Sequence, residues 1–253
     1  MSNGKDSSPV VRQKHEQMLK LVTKGFYNEL INYGVNQAEV LAVAGHLLDN
    51  VMQKSGPASK TTEYYNQLFT IKDVQDEWTE NRRLTIQQVS LVPLDAAQIP
   101  QLTAWLSAPT IGESFHPPFP PSAPELERYF QQPDREYFSI FYEHESAGII
   151  GAENIDTASG KLEMRKLVGN PALHGKGIGK RATFLFLYYV FIRREFNKVY
   201  LHSMDINIRN LNLNAKFGFE LEGVFIEDAL VQGKRHDLVR MGLLRPIWLG
   251  LFT

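Results

Sequence analysis

The segment Pro171-Ala172-Leu173-His174-Gly175-Lys176-Gly177-Ile178-Gly179-Lys180-Arg181 restricts the fold of this chain more than any other. It follows an apolar, strand-like run from Leu162 to Val168 and opens a helix expected over Ala182 to Phe196. Glycines at 175, 177 and 179 allow the backbone to turn sharply and to approach a ligand without Cβ clashes. The first amides of a helix have no intrahelical acceptor, and the helix dipole adds partial positive charge there. A strand, glycine loop and helix in this order form a phosphate-binding corner. Lys176, Lys180 and Arg181 reinforce it.

Two other phosphate loops fit poorly. A dinucleotide fingerprint needs G-x-G-x-x-G, and Gly177 and Gly179 are followed by Lys180, Arg181 and Ala182. A nucleotide P-loop ends in Gly-Lys-Ser/Thr, whereas Gly179-Lys180 is followed by Arg181.

The segment resembles the acetyl-CoA pyrophosphate loop of the GNAT superfamily of N-acetyltransferases, written Q/R-x-x-G-x-G/A. His174 stands at the Gln/Arg position, with Gly177 and Gly179 as the small residues. Downstream, a strand-like run from Lys198 to Met204 precedes Asn207, Lys216, Gly218 and Phe219, in register with N-x-x-A/S-x-x-x-Y-x-K-x-G-F. Glu222-Gly223, Gly233, Asp237 and Met241 match the closing hairpin. The resemblance spans residues 84 to 245 and is nearest the spermidine/spermine and ribosomal-protein N-terminal acetyltransferase branch. It implies an α+β GNAT fold: a mixed, mostly antiparallel central sheet with a splayed strand pair, flanked by helices, over residues 83–253.

The resemblance also implies acetyl-CoA as co-substrate. Its contacts would be Leu167, Val168, His174, Gly175, Lys176, Gly177, Ile178, Gly179, Lys180, Arg181, Asn207 and Lys216, with a backbone amide near Leu167 and Val168 polarising the thioester carbonyl. The expected activity is acetyl transfer to a primary amine of a small cationic acceptor such as a polyamine, amino sugar or amine-bearing antibiotic. Protein N-terminal acetylation and a non-catalytic acyl-CoA-binding module are the alternatives.

An alkyl ammonium has a pKa of about 10.4, so a base must take its proton before attack. Glu153 is placed first, then Glu163 on the next strand, with His202 and Asp205 after them. The tyrosine that commonly protonates the leaving thiolate in the family is replaced by Asn214, and Asn210 replaces Ala/Ser. An amide donates a hydrogen bond but gives up no proton at neutral pH. Tyr200, Ser203 or water are the substitutes.

Charge bounds the partners. The net charge of −1 argues against nucleic acid or an anionic membrane surface. The absence of cysteine excludes disulfides, thiolate metal sites and a Cys nucleophile, and no metal is expected. Between Glu113 and Glu163 there are 10 Asp/Glu against 3 Lys/Arg, which suits a cationic acceptor. No run reaches the ~18 apolar residues of a membrane span, and the polar opening lacks a signal-peptide core, so a cytoplasmic location is expected.

Ahead of the acetyltransferase region, residues 1–9 read as a disordered tail and 10–82 as a helical module. A first helix runs from Val10 to Tyr33, with Val11, Met18, Val22, Phe26 and Leu30 near helical spacing and Gly34 as its stop. Asn36 and Glu39 form a capping box for a second, carrying Val40, Ala44, Leu47, Leu48 and Val51 and ending by Gly56-Pro57. A third is expected over Thr61 to Glu80. Nine Lys/Arg against ten Asp/Glu in residues 1–82 suit packing or homodimerisation better than DNA binding. Further on come a strand from Leu84 to Ser90, a helix Ala96–Ser107, a proline-rich loop 109–124, a helix Pro124–Gln131 capped by Ser122, and an antiparallel pair Tyr137–Tyr142 and Ala147–Ile155.

Overall fold

From Gln75 onward the backbone forms a nine-stranded sheet, order β1-β2-β3-β4-β5-β6-β7-β9-β8. The computed structural model describes residues 9–32, 35–37, 39–41, 43, 44, 64–108, 111, 117–204 and 207–253. The strands are β1 Gln75–Glu77, β2 Arg83–Ile86, β3 Val89–Pro93, β4 Glu136–Tyr142, β5 Glu145–Asp156, β6 Lys161–Val168, β7 Lys198–Met204, β8 Glu220–Val231 and β9 Lys234–Leu244. Neighbours pair antiparallel except β6 and β7, which pair parallel. This is the mixed, mostly antiparallel sheet expected.

The helices are α1 Pro9–Asn32, α2 Trp78–Asn81, α3 Ile99–Leu106, α4 Ala123–Phe130, α5 Ile178–Tyr188, α6 Ile208–Ala215 and α7 Arg245–Phe252. One face of the sheet packs on α5, whose Phe184, Leu185, Phe186 and Leu187 are fully buried. Full burial of such a side chain contributes about 1.5–3 kcal/mol. Trp248 and Phe252 of α7 lie against Phe184, at 5.5 and 5.3 Å between ring centroids. The expected helix 182–196 starts four residues earlier and continues past Tyr188 as a π-helical turn, Tyr189–Arg193. The opposite face carries a second cluster of Ile99, Leu102, Leu126, Tyr137, Ile149 and Leu167 beneath α3 and α4.

The front of the chain differs from expectation in three places. The face of α1 that packs is centred on Leu21 and Gly25, while Met18, Val22 and Phe26 are exposed. The third helix, Thr61–Glu80, does not form in its described part. That stretch holds 3-10 turns at Tyr65–Gln67 and Ile71–Asp73, then β1 and α2. Asp73 and Thr70 close a capping box, and ladder pairing from Gln75↔Thr85 to Glu77↔Arg83 satisfies the backbone that a helix would have bonded internally. Phe69 and Trp78 are buried in the main core. Finally, the single strand Leu84–Ser90 is a hairpin, β2 and β3 reversing at Gln87 with φ +53°. The Asn36–Glu39 capping box is present, at 2.9 and 3.1 Å. Residues 1–8, Gly34, Leu47, Leu48, Val51 and Gly56-Pro57 lie outside the described residues.

Ser122 occupies the residue before α4, but its hydroxyl donates to Glu125 Oε2 at 2.6 Å and caps no amide. Among the described residues no helix is long and apolar enough to cross a membrane.

Candidate active site

The parallel pairing of β6 and β7 covers only Lys161↔Lys198, Leu162↔Val199 and Glu163↔Tyr200. Beyond Glu163 the strands part, although both continue, to Val168 and to Met204. A cavity of about 410 Å³ occupies the gap, lined by Met164 to Val168 on one side and Leu201 to Met204 on the other. A second cavity of about 690 Å³ runs on from it to the glycine loop, sharing Lys166, Val168, His174, Asn207 and Asn210. Together they form a channel from the phosphate-binding corner to the centre of the sheet.

At the loop end, Gly175 and Gly177 have φ of +82° and +71°, a region that side-chain-bearing residues avoid. A Cβ on Gly177 would stand 2.8 Å from Lys180 Cε and 2.9 Å from Arg181 Nη1, so the ends of both side chains would have to move, and the positive φ would strain any side-chain-bearing residue there. Gly177 is the N-cap of α5, leaving the amides of Ile178, Gly179 and Lys180 directed at the cavity mouth. His174 Nε2 lies 3.1 Å from the Val168 carbonyl and ties the loop back to β6. Gly175, Gly177, Ile178, Gly179 and Lys180 line the outer cavity with Lys216 and the α6 cap Asn207. Lys176 and Arg181 do not. Lys176 Nζ lies 5.1 Å from the centre of the Tyr142 ring, and Arg181 donates to Gln87 Oε1 at 2.7 Å and to the Lys176 carbonyl at 2.8 Å. These features suit a polyanion, as acetyl-CoA requires: free amides, two lysines and a cradle that a side chain would fill.

Side chains alternate along β6, so Glu163, Arg165 and Leu167 project toward α3 and α4, and Lys166 and Val168 toward α5. On the first face, Glu163 Oε1 meets His202 Nδ1 at 2.9 Å and Glu163 Oε2 accepts from Asn154 Nδ2 at 2.8 Å. Both Glu163 and His202 line the inner cavity. Burial pushes the Glu163 carboxyl up, but hydrogen bonds from His202 and Asn154 and the charge of Arg165 outweigh it and hold the group below the usual carboxylate range. An ionised Glu163 orients the imidazole with Nδ1–H toward itself, leaving Nε2 as the acceptor.

Glu153, placed first from sequence, sits elsewhere. It lines neither cavity. Its carboxylate accepts from the Tyr129 and Tyr137 hydroxyls and from Arg165 Nη1 at 3.2 Å. Burial and the neighbouring carboxylate push Tyr129 up to about 12 and Tyr137 well above the ordinary tyrosine range, so both hydroxyls stay protonated donors. Arg165 also donates to the Pro117 carbonyl at 2.7 Å and lies 4.1 Å over the Phe119 ring. Glu153 is thus the anchor of a buried network that ties the proline loop to the sheet. Asp205 lies outside the described residues.

Four of the ten carboxylates between 113 and 163 are held in ion pairs: Asp134 with Arg135, Glu136 with Arg194, Asp156 with Lys161 and Glu153 with Arg165. Among the described carboxylates of that stretch, Glu163 alone borders the channel. Lys166, absent from the sequence candidates, lines both cavities, and Asn214 is fully buried at the wall of the inner one. The alternation of β6 alone carried a signal for Lys166: a lysine in the middle of an otherwise buried strand.

A family model described as an acetyltransferase (GNAT) domain matches residues 88–220. YdaF of Bacillus subtilis (strain 168), provisionally named a ribosomal N-acetyltransferase, is 29% identical over 111 residues, 44% of this chain and 60% of that protein. Spermidine N(1)-acetyltransferase of Escherichia coli (strain K12) is 25% identical over 113 residues, 45% of this chain and 60% of that protein. The match thus spans about 60% of the length of these curated relatives. Among solved structures, spermidine N-acetyltransferase from Vibrio cholerae in complex with CoA and spermine superposes with a TM-score of 0.59 at 22% identity, over 64% of this chain and 98% of that one. At that identity the likeness bears on the fold.

Proposed function

The chain belongs to the GNAT acetyltransferase family, and from that premise we propose that it moves an acetyl group from acetyl-CoA to a primary amine of a small acceptor. The observation that carries this reading is one continuous channel with a polyanion-binding loop at its outer end and the Glu163–His202 pair at its inner end.

The residues divide the work along that channel. The amides of Ile178 to Lys180, with Lys180 and Lys216, hold the pyrophosphate. The free edge of β6 at Leu167 and Val168 receives pantetheine and supplies the amide that polarises the thioester carbonyl. Holding both reactants in one channel converts a bimolecular step into a positioned one, worth several kcal/mol. His202 Nε2 takes the proton from the attacking amine, and Glu163 stabilises the imidazolium that results. Glu163 and His202 thereby replace Glu153 as the groups that meet the acceptor. A compact cationic amine fits the ionised Glu163 carboxylate at the inner end of the channel, and the E. coli relative's name, a spermidine acetyltransferase, supports a polyamine.

The test is release of free CoA thiol from acetyl-CoA across polyamines, amino sugars, aminoglycosides and short peptides. The chain has no cysteine, so the protein adds no thiol background. Turnover with one amine class and none with the others is the expected result. Binding of acetyl-CoA without turnover on any amine would overturn the catalytic reading in favour of an acyl-CoA-binding module.

A further inference from the structure

The leaving thiolate lacks its usual proton donor in this chain, because Asn214 occupies the tyrosine position of α6. Asn214 is 0% exposed, and neither its Nδ2 nor its Oδ1 has a hydrogen-bond partner. A buried amide with both ends unmatched costs about 1–3 kcal/mol for each group left unsatisfied, so its persistence at a cavity wall points to a polar ligand atom that completes it. The same cavity presents Lys166 from β6. Its Nζ donates to Thr183 Oγ1 at 2.7 Å, and Thr183 in turn donates to the Gly179 carbonyl at 2.7 Å. That relay fixes the ammonium between the strand and the first turn of α5, with two further N–H bonds available.

Resting on the acetyl-transfer reading above, we propose that Lys166 is the proton donor for the departing CoA thiolate and that Asn214 hydrogen-bonds the same sulfur. As the tetrahedral intermediate collapses, the C–S bond breaks and its electron pair passes to sulfur. A proton moves from Lys166 Nζ to that sulfur, leaving a neutral amine that solvent reprotonates. The acceptor's own proton leaves by His202 on the other face of β6. The two proton transfers therefore use different side chains of the same cavity, and neither group has to serve as both acid and base.

The environment suits this role. Burial pushes the Lys166 ammonium down to about 7, into the range of an ordinary thiol at about 8.5, so a proton can pass from Nζ to the sulfur. Besides Lys166, the charged or titratable groups bordering the channel among the described residues are Glu163, Arg165, His174 and His202 around the inner cavity, and Glu29, Tyr65, Lys180 and Lys216 around the outer one. Glu163 and Arg165 project to the opposite face of β6 from Lys166.

The test reads the thiol directly. CoA is titrated on the protein by the ultraviolet difference absorbance of its thiolate, which no cysteine obscures. A cation at contact distance lowers the pKa of a neighbouring acid by about 1–3 units, so the bound thiol should ionise at least about tenfold more readily than free CoA. K166M, with a similar stem and no charge, should abolish that shift while CoA affinity by calorimetry is kept. K166R, which keeps the charge but cannot release a proton, should keep the shift and lose turnover. In the K166M background, N214Y should restore turnover. A bound thiol that titrates like free CoA, or a shift that survives in K166M, would overturn the proposal even if wild type acetylates amines. A shifted thiol without turnover on any amine would leave this site standing and refute the acetyl-transfer reading. Failure of CoA to bind wild type would overturn both.

Discussion

Replacing Glu153 by alanine separates structure from chemistry. The carboxylate is 7% exposed and its partner Arg165 6%, and it also collects the hydroxyls of Tyr129 and Tyr137. Breaking one side of a buried ion pair typically costs about 3–5 kcal/mol because the remaining charge is left without compensation. Arg165 keeps the Pro117 carbonyl and the Phe119 ring, which places the expected loss near about 3 kcal/mol. For a chain of this size each kcal/mol moves the melting temperature by about 2–4 °C, so E153A should melt roughly 6–12 °C lower. The assay pairs thermal and urea unfolding with turnover measured well below both melts. Turnover per folded molecule should change only a few-fold, since Glu153 borders neither cavity. A melt lowered by less than about 2 °C, together with a loss of turnover of about 100-fold or more, would refute the assignment of Glu153 to structure and return it to catalysis.

Four further outcomes are expected. G177D puts a side chain at a left-handed N-cap position and a negative charge at the anion-binding loop, so acetyl-CoA binding by calorimetry should vanish while circular dichroism is retained. H202Q should lower kcat by about 10²–10⁴-fold, the usual worth of a positioned base. E163Q should fall in the same direction and also lose an acid-sensitive contribution: the Glu163 pKa is lowered by folding, so its stabilisation is present above the ordinary carboxylate range and disappears as pH falls through the depressed value. Urea midpoints of wild type and E163Q should therefore converge in acid. Truncation before residue 64 should leave the sheet folded, whereas deletion of residues 1–80 removes buried Phe69 and Trp78, each worth about 3–5 kcal/mol, and should unfold the chain by circular dichroism.

The glycine loop, the strand before it and the run Lys198–Met204 were legible because their signals are local: alternation, glycine at positive φ and a helix opening at once. The hairpin at Gln87 was hidden, since Gln87-Gln88 is a poor turn signature and Gln87 carries a φ of +53° that only the paired strands enforce. Likewise β1 has a polar sequence, Gln75-Asp76-Glu77, and becomes a strand only by pairing with β2. The site divides the same way. The loop residues were identifiable from the motif, but the choice between Glu153 and Glu163 depends on which carboxylate a tertiary neighbour captures. Tyr129 lies 24 positions from Glu153, and His202 lies 39 from Glu163, distances over which alternation says nothing.

The short ladder between β6 and β7 has a mechanical side. Three paired positions hold the six-stranded and three-stranded halves of the sheet together at that seam, and the backbone groups from Met164 to Val168 face no strand there. Amide hydrogen exchange should be fastest among core residues along this line and slow sharply once a ligand's amides bridge it. On the acetyl-transfer reading proposed above, a ligand bridging the seam stabilises the folded chain, so the melting temperature should rise with acyl-CoA concentration.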